Sequence, residues 1–152
     1  MLVELEQAIT AWLQVSPLAQ RLRRIEALPD LGEDSLVARF GADAPAIYLA
    51  VGSGDLPRPG LVAPFVALTC VARNSRSAQA ARQGDGTQIG LLELVDALIT
   101  LLDGALIDGQ PYQVQRWDMV NSDALVRKGL YAAVVLARTQ APLDLTYTGE
   151  AA

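Results

Sequence analysis

The chain of 152 residues has room for one domain of ordinary size, and 51% of its residues are apolar. Aromatic residues make up only 5%, so Leu, Val, Ile and Ala must build the core. A net charge of −5 argues against nucleic-acid binding by the surface as a whole. The single cysteine excludes an intrachain disulfide, and the absence of histidine excludes histidine-based catalysis and histidine-ligated metals. A chain this apolar is expected to present part of its apolar surface to a partner, of which another copy is the simplest.

The first half of the chain predicts a helix followed by strands. Leu5, Ile9 and Leu13 recur at helical spacing, which predicts a helix over Leu2–Gln14 that ends before Ser16-Pro17. The other elements expected here are an edge strand within Leu22–Leu28, a short helix from Asp34 or Ser35 to Phe40, a strand at Ala46–Val51, a loop at Gly52–Gly60, and a strand at Val62–Ala72 with Pro64 near its start or at an edge.

A polar segment, Arg73–Gly86, follows the strongest predicted strand. No acidic residue occurs from Leu56 to Gly84, so this segment is locally basic on an acidic protein. Its small, polar composition predicts a mobile loop at 73–86, and a loop of this length within a compact domain is usually functional.

The second half predicts one long helix and two strands. Thr87 is expected to cap a helix at Gln88–Asp103, which Gly104 would end. The elements expected after it are a strand at Tyr112–Asp118, a turn at Asn121-Ser-Asp, a strand at Gly129–Thr139 and a flexible C-terminal tail at 141–152.

Together these segments predict a single domain over 1–152 of the α/β (α+β) class. An antiparallel or mixed sheet of four to five strands is expected, with the two main helices packed on it. The strands at Val62–Ala72 and Gly129–Thr139 should be central, because both are apolar on both faces.

Few residues carry chemistry. Cys70 lies in an apolar strand and is expected to be an inert core thiol. Glu93 and Asp96 share a helix face, which indicates a solvated or interface stripe, and two acids are too few for an ordinary metal cage. Gly84-Asp-Gly86 precedes a helix, as anion sites do, although a hinge explains the glycines better. We therefore expect no enzyme activity, no catalytic, cofactor or metal site and no cofactor.

The basic segment supplies the candidate site, an oligomer or tube interface. Arg73, Asn74, Arg76 and Arg82 would form an assembly arm that docks on acidic groups of the next copy or of a partner ring. The alternative is an ordinary solvated loop.

The order of these motifs resembles a known family. A helix beginning Met-Leu-Val-Glu-Leu-Glu-Gln-Ala-Ile is followed by Leu22-Arg-Arg-Ile-Glu-Ala-Leu-Pro29 and by a strand ending Val71-Ala-Arg-Asn74. A helix then begins Ile89-Gly-Leu-Leu-Glu-Leu-Val95, and a last strand begins Gly129-Leu-Tyr-Ala-Ala-Val-Val. Over about Met1 to Thr139, the chain resembles the small tail terminator proteins of Mu-like phages and prophages, which belong to contractile tails.

The resemblance implies a non-enzymatic structural protein with an antiparallel-rich sheet and two main helices. It implies a homo-oligomeric ring, commonly a hexamer, that caps the tail tube, ends its polymerisation and joins the tail to the head connector. The implied partners are further copies of the chain, the tail tube protein and head–tail connector proteins, without a membrane or specific nucleic-acid binding. The implied location is the bacterial host cytoplasm during assembly and then the virion tail. Two alternatives remain: another head–tail adaptor or completion protein of the virion, or a monomeric α/β domain that binds a small molecule or peptide.

Overall fold

The computed structural model describes residues 1–28, 43–73, 82–84 and 89–145. The predicted helix at 34–40, the predicted cap Thr87 and the candidate site residues Asn74 and Arg76 lie outside these ranges. The described elements are, in chain order, α1 (Leu2–Gln14), a 3-10 helix (Pro17–Arg21), β1 (Arg24–Ala27), β2 (Ala46–Asp55), β3 (Leu61–Arg73), α2 (Leu91–Leu102), β4 (Leu106–Ile107), β5 (Gln110–Val120), α3 (Asp123–Arg127), β6 (Leu130–Thr139) and β7 (Leu143–Asp144).

One mixed sheet organises the described residues. Its strand order is β1-β2-β3-β6-β5-β4, and β7 pairs with the start of β3. Only β1 and β2 run parallel; the other pairs are antiparallel. The α+β class is confirmed, but the sheet has seven strands rather than four or five, because two of them are two-residue strands that alternation cannot reveal.

The two central strands are those with apolar residues on both faces. β3 lies between β2 and β6, and β6 lies between β3 and β5, as predicted. Leu68 and its cross-strand partner Val135 are fully buried. Pro64 lies one residue before the first β3–β6 pair at Phe65, so the proline removes no amide from that ladder.

Two helices cover one face of the sheet, which we call the first face. α1 buries Leu5, Ile9 and Leu13 there, and it has the predicted bounds and the predicted end before Pro17. α2 contributes a wider set of buried residues to the same cluster: Leu91, Leu94, Val95, Leu98 and Leu102. None of the described helices has the length and apolarity needed to cross a membrane.

α2 begins later than the sequence predicted. Its N-cap is Gly90, three residues beyond Thr87, and the Glu93 carboxylate accepts a hydrogen bond from the Gly90 N–H at 3.3 Å. This bond is the glutamate half of a capping box: it satisfies the amide of the N-cap residue, while Gly90 has no side chain that could cap the amides of the first turn. The C-terminal end agrees with the prediction, since Gly104 adopts a φ of 79° just after the helix.

Two predicted connections are wrong in part. Gly52–Asp55 was predicted as loop, but it continues β2 and pairs with Ala63–Phe65 past a register shift between Val51 and Ser53. The cross-strand partner therefore overrides the glycine-rich composition. Instead of a simple turn at residues 121–123, Ser122 caps α3, and its hydroxyl accepts a hydrogen bond from the Leu125 N–H at 3.4 Å.

The predicted flexible tail also begins too early. Leu143 and Asp144 form β7 beside Val62 and Leu61, and the Leu145 N–H donates to the Gly60 carbonyl at 2.7 Å. Residues 146–152 of the predicted tail lie outside the described part of the chain.

Candidate assembly surfaces

Among the described residues, the second face of the sheet, opposite α1 and α2, is covered at one end. There Leu125 of α3 packs with Tyr48, Val71, Leu130 and Ala132 in a small core cluster of its own. These side chains come from the end of the sheet at which β3 finishes and β6 begins.

Beyond that end, β2, β3 and β6 carry a mainly apolar set of side chains on the second face, which we call the open patch (Ala50, Phe65, Ala67, Val134 and Leu136). The register places Ala50, Ala67 and Leu136 in a row across β2, β3 and β6. Phe65 and Val134 flank this row on the same face, because they alternate with residues of the first face. All five side chains are partly exposed and belong to neither core cluster, while the buried residues of the three described α-helices do. None of those helices therefore covers the open patch.

Polar side chains border the open patch on the β5 side. With the Gln113 side-chain amide oriented so that its oxygen faces hydrogen-bond donors, the oxygen accepts a hydrogen bond from Arg138 Nε at 2.9 Å. Arg116 Nε lies 3.1 Å from Asp118 Oδ2, and both side chains are exposed. An apolar centre with a polar margin is the usual anatomy of a protein–protein interface.

The structure brings two predicted site residues to one end of the sheet. Arg73 is exposed and pairs with Leu130 as the last residue of β3, so it is a strand residue rather than part of the predicted mobile loop. Arg82 is exposed and lies in a cleft beside Tyr131, the residue after Leu130. The contacts of Asn74 and Arg76 fall outside the described residues.

This cleft has a volume of about 570 Å³ and was not predicted from the sequence. Its apolar lining consists of Met119, Val120, Val126 and Tyr131, and its polar lining consists of Arg82, Gln83, Asn121, Ser122 and Asp123. The end of β5 and the short helix α3 create it, and neither was foreseen at the correct length. Val126 is 50% exposed, so an apolar side chain at this end of the sheet lacks full cover.

The titratable residues singled out in the sequence have structural roles here. Cys70 is fully buried, as predicted, and burial raises the pKa of its thiol to about 12, which keeps it protonated and unreactive. Besides capping α2, Glu93 pairs with Arg21 at 3.1 Å, whereas Asp96 on the same face is exposed. Within the described ranges, no three Cys, Asp or Glu side chains are grouped so that they could hold a metal ion.

In comparisons with known proteins, no protein family and no curated protein matches this chain. The likeness to tail terminators thus rests on the sequence motifs alone.

Proposed function

We propose that this protein is a phage-type tail terminator, a structural and non-enzymatic subunit that assembles with copies of itself. In this proposal a ring, commonly a hexamer, caps the tail tube, ends its polymerisation and offers a surface to the head connector. The partners are the tail tube protein and head–tail connector proteins. The observation that carries the proposal is the open patch on the central strands.

The open patch supports self-assembly on energetic grounds. Each square ångström of apolar surface removed from water contributes roughly 25 cal/mol, so partly exposed Phe65, Val134 and Leu136 favour a covering partner. These residues lie on β3 and β6, the central strands of the sheet, so the surface is formed before a partner arrives. Another copy of the chain is the partner present in every preparation.

The basic end of the sheet supports a second contact. Arg73 and Arg82 are exposed there on a protein of net charge −5, so acids of the next subunit or of the tube would attract them. Each exposed pair would contribute only about 0.2–1 kcal/mol. The contribution becomes useful because a closed ring repeats each contact at every subunit.

The first test is the mass of the assembly. Native mass spectrometry and electron micrographs of the purified protein should show a closed ring, and Ala67→Glu should reduce it to smaller species. The reason is that Ala67 lies in the middle of the open patch, where a carboxylate would have to lose its water in the interface.

The same substitution at Ala11 is the matched control, because Ala11 is exposed on α1, away from the open patch. Ala11→Glu should leave the ring intact. A wild-type protein that remains a monomer at every concentration, or a ring that tolerates Ala67→Glu, would refute assembly through the open patch.

A second test separates a terminator from another virion protein of similar size. The protein should stop growth of tail tubes when it is added to polymerising tube protein, and it should be found at one tube end. A head–tail adaptor would bind the connector without limiting tube length.

One observation favours a monomeric binding domain instead, namely the cleft near Arg82. Its volume of about 570 Å³ lies within the range of about 300–1,000 Å³ typical of ligand pockets. Under this alternative, native mass spectrometry would show a monomer that retains a small molecule or peptide, and Val126→Asp would release it.

A further inference from the structure

Within the described ranges, β4 and Asp103 close the outer side of β5 along its first residues. The Tyr112 N–H donates to the Ala105 carbonyl, and the Tyr112 carbonyl accepts from the Gly104 N–H, both at 2.9 Å. Two residues later, the Val114 N–H donates to Asp103 Oδ1 at 2.9 Å. β4 pairs only with Gln110 and Pro111. From Gln115 to Val120, no described strand lies on this side.

The register shows which main-chain groups face outwards in that stretch. In an antiparallel pair, residues alternate between those bonded to the partner strand and those directed away from it. Val114, which bonds outwards, is opposite Ala137, whereas Trp117 is opposite Val135, two residues along the regular strand β6. Trp117 therefore directs its N–H and carbonyl away from β6. Val114 and Trp117 are three residues apart while their partners are two apart, because of the bulge between Val114 and Arg116.

The side chains of this free edge carry a specific pattern. Trp117 is 42% exposed and shares the first face with the buried Val135. Arg116 and Asp118 flank it on the second face, with opposite charges two residues apart. Natural edge strands often avoid pairing by carrying charge of one sign, which a second copy would also carry and which would repel it. This edge carries both signs.

We propose that two copies of the protein pair through this edge, with their β5 strands antiparallel about a two-fold axis at Trp117. Arg116 of each copy then lies directly opposite Asp118 of the other, in the class of pair whose side chains approach most closely. The two Trp117 residues exchange main-chain hydrogen bonds, and their rings meet on the first face, where aromatic residues often anchor an interface.

Charge selects this register over its neighbours. An axis at Asp118 would place the two Asp118 carboxylates opposite each other, and a parallel pairing in register would place Arg116 beside Arg116. Both arrangements put like charges in contact, which is destabilising in a sheet. Only the axis at Trp117 matches both charges with their opposites.

This contact goes beyond the proposed ring and uses a different surface. Directly opposite residues share a face, so the pairing places the open patches of both copies on the same side of one continuous sheet. The edge can therefore be tested in an Ala67→Glu background, in which contacts through the open patch are weakened while β5 is unchanged. Loss of the ring and loss of the edge pair are then separate results.

The decisive experiment reverses and exchanges the charges. In sedimentation velocity runs over a range of concentrations, Arg116→Asp should raise the dimer dissociation constant by about tenfold or more, because each of two ion pairs becomes a like-charge contact. The exchange Arg116→Asp with Asp118→Arg should restore dimerisation, since the two-fold register remains complementary. The control is Arg58→Asp, which reverses an exposed charge in the loop before β3 and should have no effect.

Disulfide trapping provides a second measurement. Residues exchanging main-chain hydrogen bonds across an antiparallel pair have Cα atoms about 5.5 Å apart, a separation that a disulfide spans. Trp117→Cys should therefore give a covalent dimer on mild oxidation, while Val15→Cys, at a site 85% exposed just after α1, should not. The buried Cys70 should not compete. The proposal is wrong if the background protein is monomeric throughout, if the exchanged variant fails to dimerise, or if both cysteine variants cross-link equally.

Discussion

The position of Arg82 beside the start of α2 can be tested by Gly90→Ala, which adds a single methyl group. A Cβ added at Gly90 would meet the amide nitrogen of Gly84, the carbonyl carbon of Gln83 and, at 2.9 Å, the carbonyl oxygen of Arg82. All three are backbone atoms, so no side-chain rotation can relieve the contact. The φ of −81° at Gly90 suits any residue, so Gly90→Ala acts through this contact rather than through backbone strain.

The size of the effect follows from this geometry. Non-bonded carbon contacts relax only at about 3.5–4 Å, so segment 82–84 must move by about 1 Å or more. If the segment resists, overpacking costs about 1–3 kcal/mol; if it moves, the weaker N-cap costs about 1 kcal/mol. For a chain of this size each kcal/mol lowers Tm by about 2–4 °C, so Gly90→Ala should lower Tm by about 2–12 °C.

Calorimetry and native mass spectrometry of the same samples check this prediction. Gly52→Ala is the matched control, because a Cβ there meets no atom within 4 Å, and it should melt and assemble like the wild type. If Arg82 belongs to an assembly arm, Gly90→Ala should also weaken the ring, because it displaces residues 82–84. A lower Tm with unchanged ring formation would show that Arg82 is not part of an assembly arm. An unchanged Tm would show that residues 82–84 do not pack against Gly90.

Three further predictions address charge and burial. Arg76→Glu with Arg82→Glu should leave Tm nearly unchanged but impair ring formation and tube capping, more so at low salt where screening is weak; intact tail-length control would reduce the segment to a solvated linker. Burial, with a smaller contribution from Asp108, raises the pKa of Tyr112 from 10.0 to about 12, so the neutral phenol stabilises the fold below pH 10 and that stability is lost as the pH rises to about 12. Denaturant titrations should therefore show Tyr112→Phe losing up to about 3 kcal/mol less stability than the wild type over that interval, and equal losses would contradict the assignment. Cys70 should react with iodoacetamide only on unfolding, which mass spectrometry of the alkylated protein will measure, and rapid labelling of the native protein would show that the strand opens.

The parts of the fold that the sequence predicted well are those in which one segment determines its own environment. Helix α1 has one apolar stripe of three buried residues, so its spacing alone defines the helix and the face that it buries. The central positions of β3 and β6 followed from apolar residues on both faces, since such a pattern favours a strand with a neighbouring strand on each side.

The parts that were missed depend on a distant segment. Gly52–Asp55 becomes strand only because Ala63–Phe65 lies beside it, and β7 exists only because Leu61 and Val62 supply a partner. The cleft near Arg82 and the open patch are likewise products of topology, because residues far apart in the chain become neighbours in the sheet. The sequence predicted that apolar surface would remain for a partner, but not its position on the second face.

The main-chain groups at the two edges of the sheet are protected to different extents, and this affects which edge another copy could contact. On the β1 side, where β1 has ended, the Val51 N–H donates to Glu6 Oε2 of α1 at 3.0 Å. On the β5 side, Asp103 after α2 provides the same protection to Val114. Both protecting carboxylates belong to helices of the first face or to their ends, and no described strand lies on the outer side of β5 from Gln115 onwards. That free edge borders the open patch, because Arg116 pairs directly with Leu136. The surfaces available to another copy are therefore continuous with each other, and a contact on one of them places a second chain next to the other.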